Sequence, residues 1–432
     1  MQKDAPNQFI VFSRNKAWGK VLAVVVAFAT AFCAWYAVRW QIGNMLAELT
    51  SPSQANSDNV ASLAVSLAPN DPMTRWLVAA EEKEKFNPES IENATLLFED
   101  VVRRSPNDYR WWIELGRAYE QAERRDDAEV AFGRALDLAP AYAFPRWQFG
   151  NFYLRQNRTE EAFAELKKAT EGSLIYRDQV FSLAWDYFDH DTSRVEQLAA
   201  DTPDVKASLA LFYAVRNSPI DALRVWNMLS DEDKAAHPVI AKTIAKGFFD
   251  KMFFRESLEF ARQAGLDLDA RAETVTNGGF ESYVGTDESL FSWKVSRNEG
   301  KLDIGSDSAV KHSGNRSIRL NFRGYAKPVL SNLFQFVAVR SSQKYRISFW
   351  VRTENLRSGG PPFLEVANAN DASVLATSPG FSGTSNDWQQ FNIDFTTPEN
   401  CSAIVIRTGR QYCAECPIFG TFWYDDFTLA PL

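Results

Sequence analysis

The sequence predicts a multidomain chain with one membrane-spanning helix, an all-α middle region and an all-β C-terminal sandwich. Three observations lead there: an uncharged apolar run of eighteen residues near the start, an internal period of 34 residues in the middle, and a change to short alternating runs from Ala272 onward. A chain of 432 residues also exceeds the size at which one hydrophobic core usually keeps growing.

The apolar run is "VLAVVVAFATAFCAWYAV", Val21 to Val38, bracketed by Lys20 and Arg39, with Trp18, Trp35, Tyr36 and Trp40 near its ends. At about 1.5 Å per residue it just crosses a hydrocarbon core of about 30 Å, and aromatic belts suit the two interfaces. A cleaved signal peptide is the competing reading. The run is longer than the usual signal core of about 7–15 residues, however, and "AWYAVRW" crowds any small-residue cleavage site with aromatics. A retained anchor over residues 21–40 is therefore expected. Lys3, Arg14, Lys16 and Lys20 precede the run against Asp4, whereas the first basic residue after Arg39 is Arg75. The positive-inside bias puts residues 1–20 in the cytoplasm and the bulk of the chain outside the cytoplasmic membrane.

Residues 41–59 end in "SPSQANSDN", small and polar, which reads as a linker. Residues 60–270 follow a helical pattern. In "RRSPNDYRWWIELGRAYEQAERRDDAEVAFGRALDLAP", Pro106 and Pro140 bound a unit containing Trp112, Leu115, Gly116, Tyr119, Ala128, Phe132 and Ala135. The next unit, residues 143–172, repeats it with Phe149, Gly150, Tyr153, Ala162, Leu166 and Ala169. Small residues let two antiparallel helices approach, large ones fill the space between them, and proline stops the second helix. These two units, 109–142 and 143–172, resemble the tetratricopeptide repeat, which implies a solenoid that buries its apolar faces by stacking. A looser unit precedes these, with "ASLAVSLAPNDP" and a helix through Ala94, Phe98 and Val101 separated by an insertion around "KEKFNPES", while residues 174–270 stay helical but lose the signature, as degenerate or capping repeats would.

The resemblance implies a protein-binding groove lined by outward residues of each first helix: Arg110, Ile113, Arg117 and Gln121, then Phe144, Trp147, Asn151 and Arg155. The plainer alternative is that Phe144 and Trp147 pack between repeats and the charges are solvated.

From Ala272 glycine, serine and asparagine rise, and "KYRISFWVR" alternates Tyr345, Ile347, Phe349 and Val351 against Arg346, Ser348, Trp350 and Arg352. Such strands with turn-rich connections point to a two-sheet sandwich. In order, "TNGGFES", "FSWKV", "HSGNRSIRLNF", "KYRISFWVR", "DWQQFNIDFTTP" and "GTFWYDDFTL" resemble carbohydrate-binding modules of the family 4 and 9 type, in the galactose-binding-like jelly-roll class. The resemblance covers residues 274–430 and implies the jelly-roll arrangement for 272–432. It also implies a structural calcium held by Glu281, Asp425 and Asp426, oxygen ligands suited to that ion. The alternative is that one aspartate faces solvent and the other accepts backbone hydrogen bonds at the turn.

A sugar binder needs aromatic side chains exposed among polar groups. Trp350 beside Arg346 and Arg352 is the leading candidate, with Arg407 and Trp423 as additions; Trp293 and Trp388 stand where the resembling modules pack their cores. Cys33 lies in the apolar run, leaving Cys401, Cys413 and Cys416, of which one pair, Cys413 with Cys416 or Cys401 with either, is expected as a disulfide outside the cytoplasm.

A net charge of -8 gives no general electrostatic reason to bind nucleic acid. The three histidines, His190, His237 and His312, lack the short spacings of metal sites, and no nucleophile elbow, phosphate loop or dinucleotide fingerprint occurs. The expectation is a non-enzymatic adaptor at the cell envelope that recruits protein through its repeats and glycan through its sandwich, with no cofactor beyond the structural calcium. The alternative is a structural interaction protein whose sandwich binds no sugar.

Overall fold

The computed structural model describes residues 17–432 apart from 283, 286, 287, 297–299 and 386. Lys3, Asp4, Arg14 and Lys16, on which the expected orientation rests, lie outside the described residues. The chain forms two compact units, Met1–Tyr176 and Arg177–Leu432.

In the first unit, α1 (Ala17–Leu49) leads to α2 (Ser57–Leu67), α3 (Pro72–Lys83), α4 (Pro88–Arg104), α5 (Tyr109–Gln121), α6 (Arg125–Leu138), α7 (Ala143–Arg155) and α8 (Thr159–Gly172). The apolar part of α1 is exposed, and the helix is long and apolar enough to cross a membrane. It does not stop where the linker was expected to begin. "QIGNMLAEL" contains no proline, and its small residues Gly43 and Ala47 sit against α2, where a Cβ at Gly43 would come within 2.8 Å of both Ala64 O and Ala68 Cβ. Asp71 secures this junction. It caps α3 by accepting from the Met73 amide at 2.8 Å, and it also accepts from Trp40 Nε1 at 2.5 Å and Asn44 Nδ2 at 3.2 Å. The connection is thus confined to residues between Leu49 and Ser57.

The pairs α5/α6 and α7/α8 fall on the two repeat units. A Cβ at Gly116 would lie 3.0 Å from the Phe132 ring, and one at Gly150 would lie 2.7 Å from Leu166 Cγ, so glycine sets the closeness of each pair. Phe132, Phe149, Phe152 and Ala162 belong to one continuous core shared by the neighbouring repeats.

Helix α9 (Leu174–Tyr187) carries the chain into the second unit, followed by α10 (Thr192–Leu198), α11 (Pro203–Val215), α12 (Pro219–Trp226), α13 (Asp231–Ala236), α14 (Pro238–Asp250) and α15 (Phe254–Gln263). Five of these starts carry a proline or a side-chain cap that ends the preceding connection: Asp191, Thr202, Pro219, Ser230 and Pro238.

The strands are β1 (Lys294–Val295), β2 (Leu302–Asp307), β3 (Ser317–Tyr325), β4 (Leu333–Ala338) and β5 (Lys344–Arg357), then β6 (Pro362–Asn368), β7 (Val374–Thr377), β8 (Gln389–Thr396), β9 (Ala403–Arg410) and β10 (Ile418–Pro431). They form two antiparallel five-stranded sheets, ordered β1-β4-β9-β6-β7 and β2-β3-β10-β5-β8. Tyr345, Ile347, Phe349 and Val351 all face the core, as their alternation requires, against Leu364, Val366, Ile404 and Ile406 of the other sheet.

The last helices belong with the sandwich. Phe249, at the end of α14, meets Phe336 of β4 edge-on at 4.9 Å and Phe291 at 5.6 Å, while Phe254 stacks on Phe336 at 5.8 Å. This aromatic packing places the final helical hairpin in one compact unit with the strands, although the composition changes only at Ala272.

Candidate functional site

The two aspartates near the end of the chain occupy a β-bulge. Opposite β5 the register of β10 shifts between Asp425 and Thr428, and Asp426 takes φ 50°. The extra residue lets Tyr424 and Phe427 both reach the core while Asp425 points to the outer face of the second sheet. The connection between β2 and β3 folds over that face. His312 and Ser313 donate their amides to Asp425 Oδ2 at 2.8 and 3.3 Å, Ser313 Oγ donates to Asp426 Oδ1 at 2.7 Å, and His312 Nδ1 lies 2.6 Å from Asp426 Oδ2. Asp425 is 0% exposed. Burial pushes its carboxyl above the usual carboxylate range; the His312 amide offsets part of this, and the charge of Asp426 adds to it.

The three carboxylates of the calcium expectation converge around Gly279, where a Cβ would lie 3.4 Å from Asp426 Oδ1 and 3.9 Å from both Asp425 Oδ1 and Glu281 Cγ. Glu281 spends Oε1 on the amides of Asn315 and Arg316, at 2.8 and 3.2 Å. Both aspartates are engaged by the same loop, and among the described residues no group of three or more His, Cys, Asp or Glu side chains is placed to hold a metal ion. The donors are N–H and O–H groups of the chain itself.

The same loop changes the sugar-binding candidates on this sheet. Trp350 points outward, but His312 covers it, ring on ring at 3.9 Å, and Trp388 meets His312 edge-on at 5.8 Å. Trp388 is therefore part of a half-buried surface cluster and not of the core, unlike Trp293, which packs between Phe280 and Phe427. Trp423 is 4% exposed and donates its indole N–H to Asp307 at 2.9 Å, so it offers no platform. That bond and the Ala309 and Val310 amides outweigh the burial of Asp307 and hold its carboxyl low. Arg346 is paired with Asp394 through two bonds of 2.6 and 2.8 Å, and Arg352 is half-buried with no ion pair among the described residues.

Arg407 does not join Trp350. It sits on β9, in the opposite sheet, where its Nε donates to Glu365 at 2.5 Å. There it borders a cavity of about 290 Å³ lined by Phe334, Phe336, Val405, Asn368 and Ala367 on the outer face of the first sheet. The signal for this cavity was present in "NLFQFV": alternation sends Leu333, Gln335 and Val337 inward and leaves Phe334 and Phe336 on the other face. An apolar floor with the Arg407 guanidinium at its rim suits a polar ligand with apolar faces.

The repeat-groove candidates, all in the first unit, separate in the same way. Ile113 is 1% exposed and lies in the core with Phe149 and Phe152. It therefore cannot line a groove. Phe144 and Trp147 pack on Tyr176 at 6.3 and 5.9 Å, the plainer alternative. Asn151 donates to the Trp147 carbonyl, Arg117 bonds Glu114 at 2.7 Å, and Arg155 is paired with Glu120 across the repeats. Gln121 is half-buried. Arg110 pairs with Asp108, which holds that carboxyl low, beside a second cavity of about 300 Å³ bordered by Asn44, Glu48, Asp71 and Trp111.

Cys413 and Cys416 form a disulfide, whereas Cys401 is free and buried. Burial, with a smaller contribution from Asp371, pushes the Cys401 thiol up to about 11.

Residues 272–409 match the family described as carbohydrate binding domain, and residues 109–142 match the tetratricopeptide repeat. No curated protein matches the chain. Among solved structures, one described as "CBM4 structure and function" is 16% identical, with 37% of this chain and 99% of that one covered and a TM-score of 0.26. The CBM22-1 xylan-binding domain of Paenibacillus barcinonensis Xyn10C is 14% identical over 38% of this chain and 97% of its own, with a TM-score of 0.25. An APC/C hetero-tetramer, Cut9-Hcn1, is 14% identical over 49% of this chain and 43% of its own, with a TM-score of 0.29. The chain thus joins an apolar N-terminal helix, tetratricopeptide-type repeats and a carbohydrate-binding-module-like sandwich.

Proposed function

We propose that this chain is a membrane-anchored, non-enzymatic adaptor, N-terminus in the cytoplasm and bulk outside, that recruits protein through its repeats and engages glycan through its sandwich during polysaccharide or envelope assembly. The match of residues 272–409 to a carbohydrate binding domain supports the glycan half, and the match of 109–142 to a tetratricopeptide repeat supports the protein half. The observation that carries the reading is the cavity on the outer face of β4, β6 and β9. Phe334 and Phe336 present apolar surface there, and Arg407, held by Glu365, places its guanidinium at the border. A sugar ring has the complementary character, with C–H faces that stack on aromatics and hydroxyls at its edge. Two modest affinities on one anchored chain would add through their effective concentration.

A glycan-binding screen of the full chain in detergent, wild type against Phe334→Ala, tests this. The expected result is a saccharide class bound by the wild type and weakened about ten-fold in the variant. Absence of saccharide binding by the wild type would overturn the glycan half. It would favour a second reading, in which the sandwich closes the helical array through the packing of Phe249 and Phe254 on Phe336.

A further inference from the structure

Arg39 and Arg75 are successive basic residues at the end of the apolar run and beyond it, far apart in sequence, and the fold brings both to one turn. Helix α2 ends at Leu67 and α3 begins at Pro72, with Pro69 and Asn70 exposed between them. Arg39, from α1, donates to the Ser66 carbonyl. Arg75, from α3, donates its Nε to the Pro69 carbonyl at 2.9 Å, and Arg104, at the end of α4, donates to Asn70 Oδ1 at 3.0 Å. All four helices belong to the first unit.

The acceptors on the turn are neutral. A carbonyl or amide oxygen satisfies a guanidinium N–H but leaves the charge unmatched. Arg104 has an ion pair as well, its Nε on Asp100 at 2.7 Å. Arg39 and Arg75 have no carboxylate partner among the described residues. Asp71, at the end of the same turn, does not supply one: its oxygens accept from Trp40, Asn44 and the Met73 and Thr74 amides.

The position of this turn is set by α1. Arg39, Trp40 and Asn44 are the residues through which α1 holds it, and Arg39 directly follows the last residue of the apolar run. From Arg39 to Asn44 the helix rises about 7 Å. The headgroup layer adds about 5–7 Å to each side of a hydrocarbon core. With the apolar run inside that core, the turn and its guanidiniums stand at the level of the lipid phosphates.

Resting on the membrane-anchor reading above, we infer that the α2–α3 turn, with Arg39 and Arg75, is a binding site for the phosphodiester of an anionic glycerophospholipid such as phosphatidylglycerol. A planar guanidinium meets phosphate oxygens two at a time, and the phosphodiester supplies the negative charge that the turn lacks. A zwitterionic headgroup fits less well, because its ammonium meets no free carboxylate there: Asp71 is 5% exposed and fully engaged. The site uses none of the repeat-groove or sandwich residues.

The experiment uses the full chain in mild detergent, stripped of lipid and titrated with phosphatidylglycerol, phosphatidylcholine and an uncharged diacylglycerol glycolipid, with bound lipid counted by native mass spectrometry. The expected result is a phosphatidylglycerol retained about ten-fold more tightly than either other lipid, and weakened about ten-fold by Arg39→Gln and by Arg75→Gln. Arg134→Gln, on the exposed face of α6, should change nothing. Equal retention of the three lipids, or retention indifferent to both variants at the turn, would overturn the inference while leaving the anchor reading intact. Displacement of phosphatidylglycerol by millimolar inorganic phosphate would overturn the lipid assignment in favour of a free anion. Release of the chain from native membranes by alkaline carbonate would overturn the anchor reading and this inference with it. Should Arg75→Gln lose helix by circular dichroism, Arg75→Lys keeps the charge without the planar fork and is expected to bind with intermediate affinity; an affinity equal to that of the wild type would count against a phosphate held by Arg75.

Discussion

His312 lies flat on Trp350, ring centroids 3.9 Å apart and planes 18° from parallel, while its Nδ1 faces Asp426 Oδ2 at 2.6 Å. One side chain thereby fastens the β2–β3 connection to both β5 and β10. His312→Ala is expected to cost about 1–2 kcal/mol, from a lost ring pair and a weakened partner for Asp426. His312→Phe should recover the stacking share. Thermal unfolding followed by tryptophan fluorescence measures both, and equal stability of Ala variant and wild type would refute the fastening role.

Asp425 binds its proton more tightly in the folded chain than in the unfolded one, because burial dominates its surroundings. Such a carboxyl favours the folded state below its unfolded value of 3.8, and that contribution is lost as pH rises through the higher folded value. Asp425→Asn removes this titration. Whatever its offset from lost hydrogen bonds, the stability of the variant relative to wild type should increase with pH above 3.8. Urea midpoints across pH 4 to about 7 supply the comparison, and a pH-independent difference would contradict it.

The thiols should divide by location. With Cys413 and Cys416 joined and Cys401 1% exposed with its thiol pushed up to about 11, iodoacetamide at about pH 8 is expected to leave Cys401 unmodified in native protein. Denaturation should expose Cys401, and only reduction should expose the other two. Mass spectrometry reads the sites directly. Native labelling of Cys401 would show that the turn before β9 opens.

Gly43→Leu is expected to push α1 from α2, since even a Cβ at that position would stand 2.8 Å from Ala64 O. Overpacking of this kind costs about 1–3 kcal/mol. Limited proteolysis between Leu49 and Ser57 should accelerate in the variant, whereas Gly133→Ala, where a Cβ meets nothing within 4 Å, should leave the rate unchanged.

What was legible in the sequence was whatever a local period reports. Gly116 and Phe132, or Tyr345 through Val351, announce their partners through spacing alone, because the helix pair and the alternating strand are short-range patterns. The fate of an outward-facing residue is a long-range matter. Trp350 and Trp423 do point away from the core, as alternation requires, but nothing near them in the chain says that residues 308–316 will fold across that sheet. Ile113 misled for a related reason: the repeat pattern assigns it to an open face, and the core formed with Phe149 and Phe152 of α7, the first helix of the next repeat, buries it. Arg407 was a residue of interest, but its sheet could be assigned only from strand order.

The apolar helix does not hand over to a flexible leash. From Arg39 to Leu49 it is already part of the folded helical body, tied through Asp71 to Trp40 and Asn44. If its apolar half crosses a bilayer, that body stands on a rigid post, with little freedom to swivel or to reach across the lipid surface. Partners would have to come to it at a set height, and any tilt of the buried half would be felt directly at the first repeats.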